Sequence, residues 1–525
     1  MFEKYLMLGV YFVILMGLSI IAARRVRNLK DYFTADKTLG YWVAAFSTQA
    51  TGESAWLLLG LTGMGAMAGV SAYWVVAGEV FGVFCAWFLM AGRFKKLTDR
   101  YDSLTVIDYL VSRFRAKNNL LRVIASLSLT IFVLIYISAQ IDATGSAFER
   151  FLNWDYHVGA IVGFVIVVAY CTIGGFLAVA WTDMFQGAVM MLCLVMLPVV
   201  AFFTITNIDQ LAAGLQAIDP DLTSIWGGGD FTLMTLMALL GMVMIGFGYL
   251  GSPQIFARYI AIRDEEEIAK GKWVAVCFTL LTDTAAVTIG LLGRYLFTET
   301  GSDPVAALGN GAQNVLPELV EYVFPALIVG LYVAAVLSAI MSTVSSLLIL
   351  AAGSVTHDFY QTIFNPGLHG ASAARLSRIV TVGLAVVALT IALTVSFLSP
   401  DRTIFWFVIF GWSGIAATFC PMIILSLTWR GYTAAGAITS MIIGFLSIPV
   451  FKFVVQNMDG IGDYFTALEA LPPAFALSMI SGYAVSKLYP DPALAREATR
   501  DFTETSDVTD DVVIEAQEAV AEIGE

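Results

Sequence analysis

Thirteen apolar stretches of about twenty residues each alternate with short polar segments along the chain. Some twenty apolar residues in a helix suffice to cross a bilayer core of roughly 30 Å. The pattern predicts spans at 5–23, 41–66, 71–92, 121–148, 158–177, 184–204, 232–257, 273–298, 322–350, 379–398, 403–428, 431–454 and 464–486. Two of them carry small and polar residues at mid-length. Gln49-Ala50-Thr51-Gly52-Glu53-Ser54 interrupts the second, and Gly246-Phe247-Gly248-Tyr249-Leu250-Gly251-Ser252-Pro253 interrupts the seventh. A helix opened inside a membrane frees carbonyls and amides to ligate ions and solute, and matching breaks in two halves point to the binding site of a secondary transporter. The broken spans are five apart. A five-plus-five inverted repeat, spans 2–6 against 7–11, puts them across a pseudo-two-fold axis at the midplane. The expected fold is therefore all-α, a polytopic membrane protein of about 13 transmembrane helices. Its transport domain covers 1–487, with repeats at about 41–204 and 232–428.

Basic residues fix the orientation. Arg24, Arg25, Arg27 and Lys30 follow span one; Arg93, Lys95, Lys96, Arg100, Arg113, Arg115 and Lys117 follow span three. Arg258, Arg263, Lys270 and Lys272 follow span seven, and Arg375 with Arg378 precedes span ten. The opposite loops at 205–231 and 299–321 carry acids and no Lys or Arg. Of 28 basic residues, only Lys4, Arg150, Arg294, Arg402 and Lys452 fall on the other side. The positive-inside rule makes the basic side cytoplasmic, with the N-terminus outside and the C-terminus inside, in a cell inner (plasma) membrane.

Composition agrees: 58% of residues are hydrophobic and 13% charged, with mean hydropathy +0.80, outside the range of soluble domains. Cys85, Cys171, Cys193, Cys277 and Cys420 lie in apolar stretches without CxxC spacing, which reads as structural thiols. The first stretch lacks a basic leader and is followed by Arg24 and Arg25, so it reads as a retained span. The net charge of −13 says little about substrate, because much of the acid sits in the tail and loops. Residues 488–525 read as an acidic, disordered cytoplasmic tail. A short amphipathic helix at Val512 to Ile523 is the lesser expectation there.

Two segments carry a family signature. Gly174-Gly175-Phe176-Leu177-Ala178-Val179-Ala180-Trp181-Thr182-Asp183 and Leu337-Ser338-Ala339-Ile340-Met341-Ser342-Thr343-Val344-Ser345-Ser346 resemble hallmarks of the sodium/solute symporter family, nearest the bacterial sodium/proline symporter branch. The resemblance runs from about Asp31 through Gly444 and includes Ser47–Gly63 and Gly248–Arg258. It implies a LeuT-like fold, sodium as coupling ion, no other cofactor, and alternating access for a small organic solute. The residues support a sodium site independently: Ala339, Ser342, Thr343 and Ser346 share one face of span nine, and sodium is a hard cation that prefers oxygen. The competing reading of that face is close helix packing through small residues.

The resemblance further implies a main sodium site from backbone oxygens of Ala50, Glu53 and Ala339 with the hydroxyls of Ser342 and Thr343. Some members of the family are understood to hold a second sodium at residues equivalent to Asp183, Ser342, Ser345 and Ser346; alternatively Asp183 is an interfacial acid at a helix start. The implied solute pocket includes Ser54, Trp56, Tyr136, Tyr249 and Pro253. Gln140 and Ile245 join it at positions where this chain departs from the branch. Proline symporters carry Asp at the place of Gly52, Met at Glu53 and Trp at Ile245, and small or apolar residues at Gln140 and Asp142.

Glu79 and Asp283 add acids within spans, where ionised carboxylates are costly. These acids must face the cavity, pair with a donor or stay protonated. His157, His357 and His369 all fall in predicted loops, which removes the commonest near-neutral proton relay but not a carboxylate one. No phosphate-binding loop, metal-ligand cluster or nucleophile–base set stands out, so neither ATP-driven transport nor an enzyme has support. The leading expectation is sodium-coupled import of an amino acid such as proline. A cationic or quaternary amine is the runner-up, motivated by Glu53, Glu79 and Asp142. A solute sensor would need an output domain, for which the tail is a poor candidate, and carboxylate proton coupling is a third reading.

Overall fold

The apolar periods become helices throughout. The structure is a computed structural model that describes residues 1–24, 34–116, 118–205, 207–368 and 370–505. Among these, ten helices are long and apolar enough to cross a membrane, eleven if the bent pair Gly462–Leu468 and Leu471–Leu488 counts as one span. One of the ten, Tyr41–Arg100, has 60 residues, about 90 Å at 1.5 Å per residue and far more than one crossing. It is the second and third expected spans, joined where Gly69 takes φ +66°. The fifth is the shorter apolar helix Tyr156–Ala169, which meets the sixth at a kink where Gly175 takes φ +61°. The thirteen expected spans are all accounted for.

Both expected breaks are present, and both are sharper than the sequence implies. Span two is helical through Glu53 and broken at one residue, Ser54, at φ +28° and ψ −163°. It resumes with a π-helical turn, Trp56–Leu61, and the helix Thr62–Ala68. Span seven runs Leu233–Met244, tightens into a 3₁₀ segment Ile245–Leu250, and restarts at Pro253–Ala261 with proline in its first turn. Proline there costs nothing, since a first-turn amide has no helical partner. The start of span two and the end of span seven are stitched by Leu39 N–H to Ala261 O (3.1 Å) and Arg263 N–H to Leu39 O (2.9 Å).

Span nine, Ala326–Gly353, lies at the centre and is buried along most of its length. It packs on spans one, two, four and six, while span eight, Glu265–Phe297, packs on spans two, three and six. The two ends of the bundle are chemically distinct. At one, Lys4 Nζ donates to Phe151 O (3.0 Å) and pairs with Glu321 (2.6 Å). At the other, Arg122 Nη1 pairs with Asp108 (2.9 Å) and Asp358 (3.0 Å). His357, expected in a loop, lies instead on the π-helical extension Ser354–Phe364 of span nine, with Nε2 3.3 Å from Asp108.

The tail departs from the expectation of disorder. Pro492–Thr505 is a helix that buries Leu494, Ala498, Asp501 and Phe502. Asp501 pairs with Arg100 (2.9 Å) and Arg115 (3.0 Å), and the guanidinium groups of Arg93 and Arg113 each stand 5.2 Å from the Phe502 ring. Part of the tail's acid thus serves to neutralise the basic loops after span three. The expected helix at 512–523 lies outside the described residues.

Candidate cation and solute site

The turn of span two before Ser54 faces three neighbours. Towards span nine it offers carbonyls. Ser342 Oγ donates to Ala50 O (2.8 Å) and lies 3.1 Å from Ala339 O. Thr343 Oγ1 lies 3.0 Å from Thr51 O and 3.1 Å from Ala339 O. Four of the five residues expected at the main sodium site thus converge, and Thr51 joins them. All are fully buried, so the oxygens are held away from water. Glu53 differs in what it presents. Its carbonyl accepts Trp56 N–H across the break, and its carboxylate turns to span eight, accepting Thr279 Oγ1–H (2.9 Å) and Thr282 Oγ1–H (3.0 Å).

Towards spans six and seven, the same turn meets an ion pair. Asp183 Oδ2 lies 3.0 Å from Arg258 Nη2, 2.8 Å from Ser47 Oγ and 3.3 Å from Ser346 Oγ. Arg258 also donates through Nε to Ser47 Oγ (3.1 Å) and through Nη2 to Thr51 Oγ1 (2.8 Å). Asp183 and Ser346 therefore meet as expected, but on a guanidinium. Ser345 Oγ bonds Ser342 O on its own helix (3.1 Å), so it does not join Asp183. Arg258, read from the sequence as a flanking cation, is 1% exposed inside the bundle. A buried pair of this kind is costly unless well hydrogen-bonded; the hydroxyls of Ser47, Thr51 and Ser346 surround Oδ2 and the guanidinium, while Asp183 Oδ1 is buried without a partner among the described residues.

The solute residues gather around Ser54. Tyr136 Oη donates to Ser54 Oγ (3.2 Å), as does Gln140 Nε2 (3.2 Å), while Ala55 N–H donates to Gln140 Oε1 (3.0 Å). Trp56 Nε1 donates to Gly52 O (3.1 Å). Tyr249 reaches the same turn: a Cβ on Gly52 would lie 2.2 Å from its hydroxyl. That contact explains the glycine, because the phenol takes the volume an aspartate would need. Ile245 is buried, and its carbonyl accepts Trp412 Nε1–H (2.9 Å). Pro253 is displaced from the group, lining a small separate cavity with Phe176, Gln254, Arg258 and Ser346. Trp412 on span eleven is the ring sequence reasoning missed; it packs edge-on to Tyr249 (5.5 Å between centroids) and Tyr136 (6.3 Å). Gly411-Trp412-Ser413-Gly414, small residues around a Trp in an apolar span, was the available signal. Asp142 is not a pocket acid: it pairs with Arg402 through Nε (3.1 Å) and accepts from the Tyr156 hydroxyl.

Comparison with known proteins matches the chain to a family. The model of the sodium:solute symporter family matches residues 32–444. The high-affinity proline transporter PutP of Bacillus subtilis is 31% identical over 482 residues, 91% of this chain and 96% of that protein. A sodium/proline symporter of Staphylococcus aureus is 30% identical, covering 93% of each. Among solved structures, a sodium-coupled sialic acid symporter in a substrate-bound outward-open state aligns at TM-score 0.74 and 16% identity, over 94% of this chain and 99% of that one. The transporter MhsT in complex with L-phenylalanine aligns at TM-score 0.53 and 12% identity, over 85% and 98%. These likenesses show the LeuT-like fold. With most of its length inside the family's bounds, the chain belongs to the sodium:solute symporter family.

Proposed function

We propose that this multi-pass plasma-membrane symporter imports a small zwitterionic amino acid, proline first among them, with its N-terminus outside and its C-terminus in the cytoplasm. The observation that carries the reading is the convergence of the Ser342 and Thr343 hydroxyls on the Ala50 and Thr51 carbonyls at the break in span two. Sodium there would be ligated by Ala50, Glu53 and Ala339 carbonyls and the two hydroxyls, tying span two to span nine. The solute would lie on the other side of Ser54, among Tyr136, Gln140, Trp56, Tyr249 and Ile245. The donors gathered at the break, the Tyr136 hydroxyl and the Gln140 amide, suit its carboxylate, and the rings suit its apolar part. The proline transporters named above support the substrate class. On the cytoplasmic side of the site, the Asp183–Arg258 pair joins spans six and seven beneath it, a closed inner gate that must part for release.

The aromatic trio of Tyr136, Tyr249 and Trp412 favours a second substrate, a quaternary amine, since aromatic faces attract such cations. Loss of Asp142 to Arg402 weakens it, because one of the acids that motivated it is already paired. Uptake of labelled proline, other amino acids and betaine-type amines into proteoliposomes, with and without an inward sodium gradient, tests both. Sodium-stimulated proline uptake supports the first reading. Sodium-stimulated amine uptake without amino-acid uptake replaces it with the second, and no sodium stimulation for any solute sinks both.

A further inference from the structure

Gln49 and Glu53 lie one turn apart on span two and face Thr279 and Thr282 on span eight. Both Glu53 oxygens accept from the two threonines, at 2.9 and 3.0 Å, and Gln49 Nε2 donates to Thr279 Oγ1. The whole group is buried, as are the acids Glu79 and Asp283, and Thr282 Oγ1 lies 3.4 Å from Asp283 Oδ1. An acidic cluster alone would not identify a ligand. Here, however, two further polar atoms that are not acidic are fully buried without a hydrogen-bond partner among the described residues, Gln49 Oε1 and the Tyr249 hydroxyl. The Gln49 amide is held beside Thr279 by its Nε2 bond, which leaves Oε1 on the same buried amide. Tyr249 meets the same turn through its contact with Gly52, beside Glu53.

We infer that Glu53, Thr279, Thr282 and Gln49 Oε1 form a second sodium site, separate from the carbonyl and hydroxyl site on span nine and from Asp183. It offers one carboxylate, two hydroxyls and an amide oxygen, the hard ligands an alkali cation takes. Oxygens about 2.3–2.6 Å from a cation of this size stand roughly 3–3.5 Å from one another, and the Glu53–threonine contacts are close to that spacing already. A threonine hydroxyl donates and accepts, so each can turn a lone pair to the ion while still donating to Glu53. Glu79 and Asp283 lie outside the ligand set. Among the described residues, only Asp108, His357 and Asp358 bring one ligand atom each within 4.8 Å of the others, so the three membrane acids are too dispersed to chelate one ion together.

The inference rests on the sodium-symport reading, and the test separates the two. Equilibrium binding of radioactive sodium to the purified full-length protein in lipid nanodiscs should give two ions per chain. Thr279→Val/Thr282→Val should bind one, Ser342→Ala/Thr343→Ala should also bind one, and Thr279→Ser/Thr282→Ser should bind two again. If the valine pair prevents insertion, Gln49→Ala and Thr282→Val singly carry the same count, with at least a tenfold loss of affinity for one ion expected. Two ions retained in the valine variant would overturn the inference. So would a single wild-type ion that is lost only in Ser342→Ala/Thr343→Ala, which leaves the symport reading intact. Proton release in place of a second sodium, followed with a pH dye in weak buffer, would overturn it in favour of a protonated cluster. No sodium bound by the wild type would sink the symport reading itself.

Discussion

Removing one hydroxyl from span nine tests the main sodium site most directly. Thr343 Oγ1 stands 3.0 Å from Thr51 O and 3.1 Å from Ala339 O, fully buried. Thr343→Ala deletes that oxygen and one methyl. Structurally the loss is modest: a neutral buried hydrogen bond contributes about 1 kcal/mol net, and the small void adds on the order of 1 kcal/mol, tolerable for a bundle this well packed. For a bound sodium the loss is larger, because the oxygen faces a full charge and no water can replace it. Interactions with charged groups are worth about 1.5–3 kcal/mol, which at 1.4 kcal/mol per decade is roughly ten- to hundredfold in affinity. The half-saturating sodium concentration for solute uptake should rise by that factor, with maximal rate at saturating sodium reduced less. Thr343→Ser, which keeps the hydroxyl, should stay within a few-fold of wild type. Equal sodium dependence in Thr343→Ala and wild type, at equal insertion, would refute the assignment of this face to the ion.

Ile245→Trp should shift preference towards smaller solutes, since the added ring crowds a buried position and overpacking costs about 1–3 kcal/mol; uniform loss across a size series would place Ile245 outside the pocket. Asp183→Asn should lower thermal stability in detergent by fluorescence-detected chromatography, because it leaves the Arg258 guanidinium buried without its counter-ion, a change worth about 3–5 kcal/mol. Adding Arg258→Met should recover much of that stability without recovering transport, and an unchanged melting temperature in Asp183→Asn would show that the pair is not engaged. Sodium activation of the wild type should be sigmoidal, with a Hill coefficient above one and at most two, whereas a hyperbolic curve argues for one coupled ion.

The spans and their breaks were legible because hydrocarbon permits few solutions: apolar length gives helices, and polar interruption gives an opened turn. What the pattern does not encode is where a side chain points once neighbours compete for it. Arg258 reads as a flank because it follows an apolar run, yet Asp183 and three hydroxyls on other helices hold it inside. The acid Asp142 reads as a pocket residue, yet its partner Arg402 is 260 residues away in sequence. The docked tail helix did leave a trace. Leu494, Ala498 and Phe502 recur every four residues, an apolar stripe obscured by the surrounding acid.

One turn of span two explains why so much chemistry gathers at this point. Within five residues, Gln49 and Glu53 address span eight, the Ala50 and Thr51 carbonyls address span nine, and Thr51 Oγ1 takes a bond from Arg258. A straight helix could not do this and also turn its next amide to the solute side. Ser54, at φ +28°, makes the redirection, so that Ala55 N–H meets Gln140 rather than continuing the helix alone. The proposed ion sites and solute site thus adjoin one strained residue. If the proposed ion sites fill, they would stiffen the turn that carries Ser54, so ion occupancy would lower the ordering cost of solute binding, a coupling that needs no contact between ion and solute. The Asp183–Arg258 pair is tied to the same turn through Thr51, whose carbonyl faces Thr343 and whose hydroxyl faces Arg258. On the proposed reading, loss of sodium would loosen the Asp183–Arg258 contact and the solute pocket together, which would give release its order.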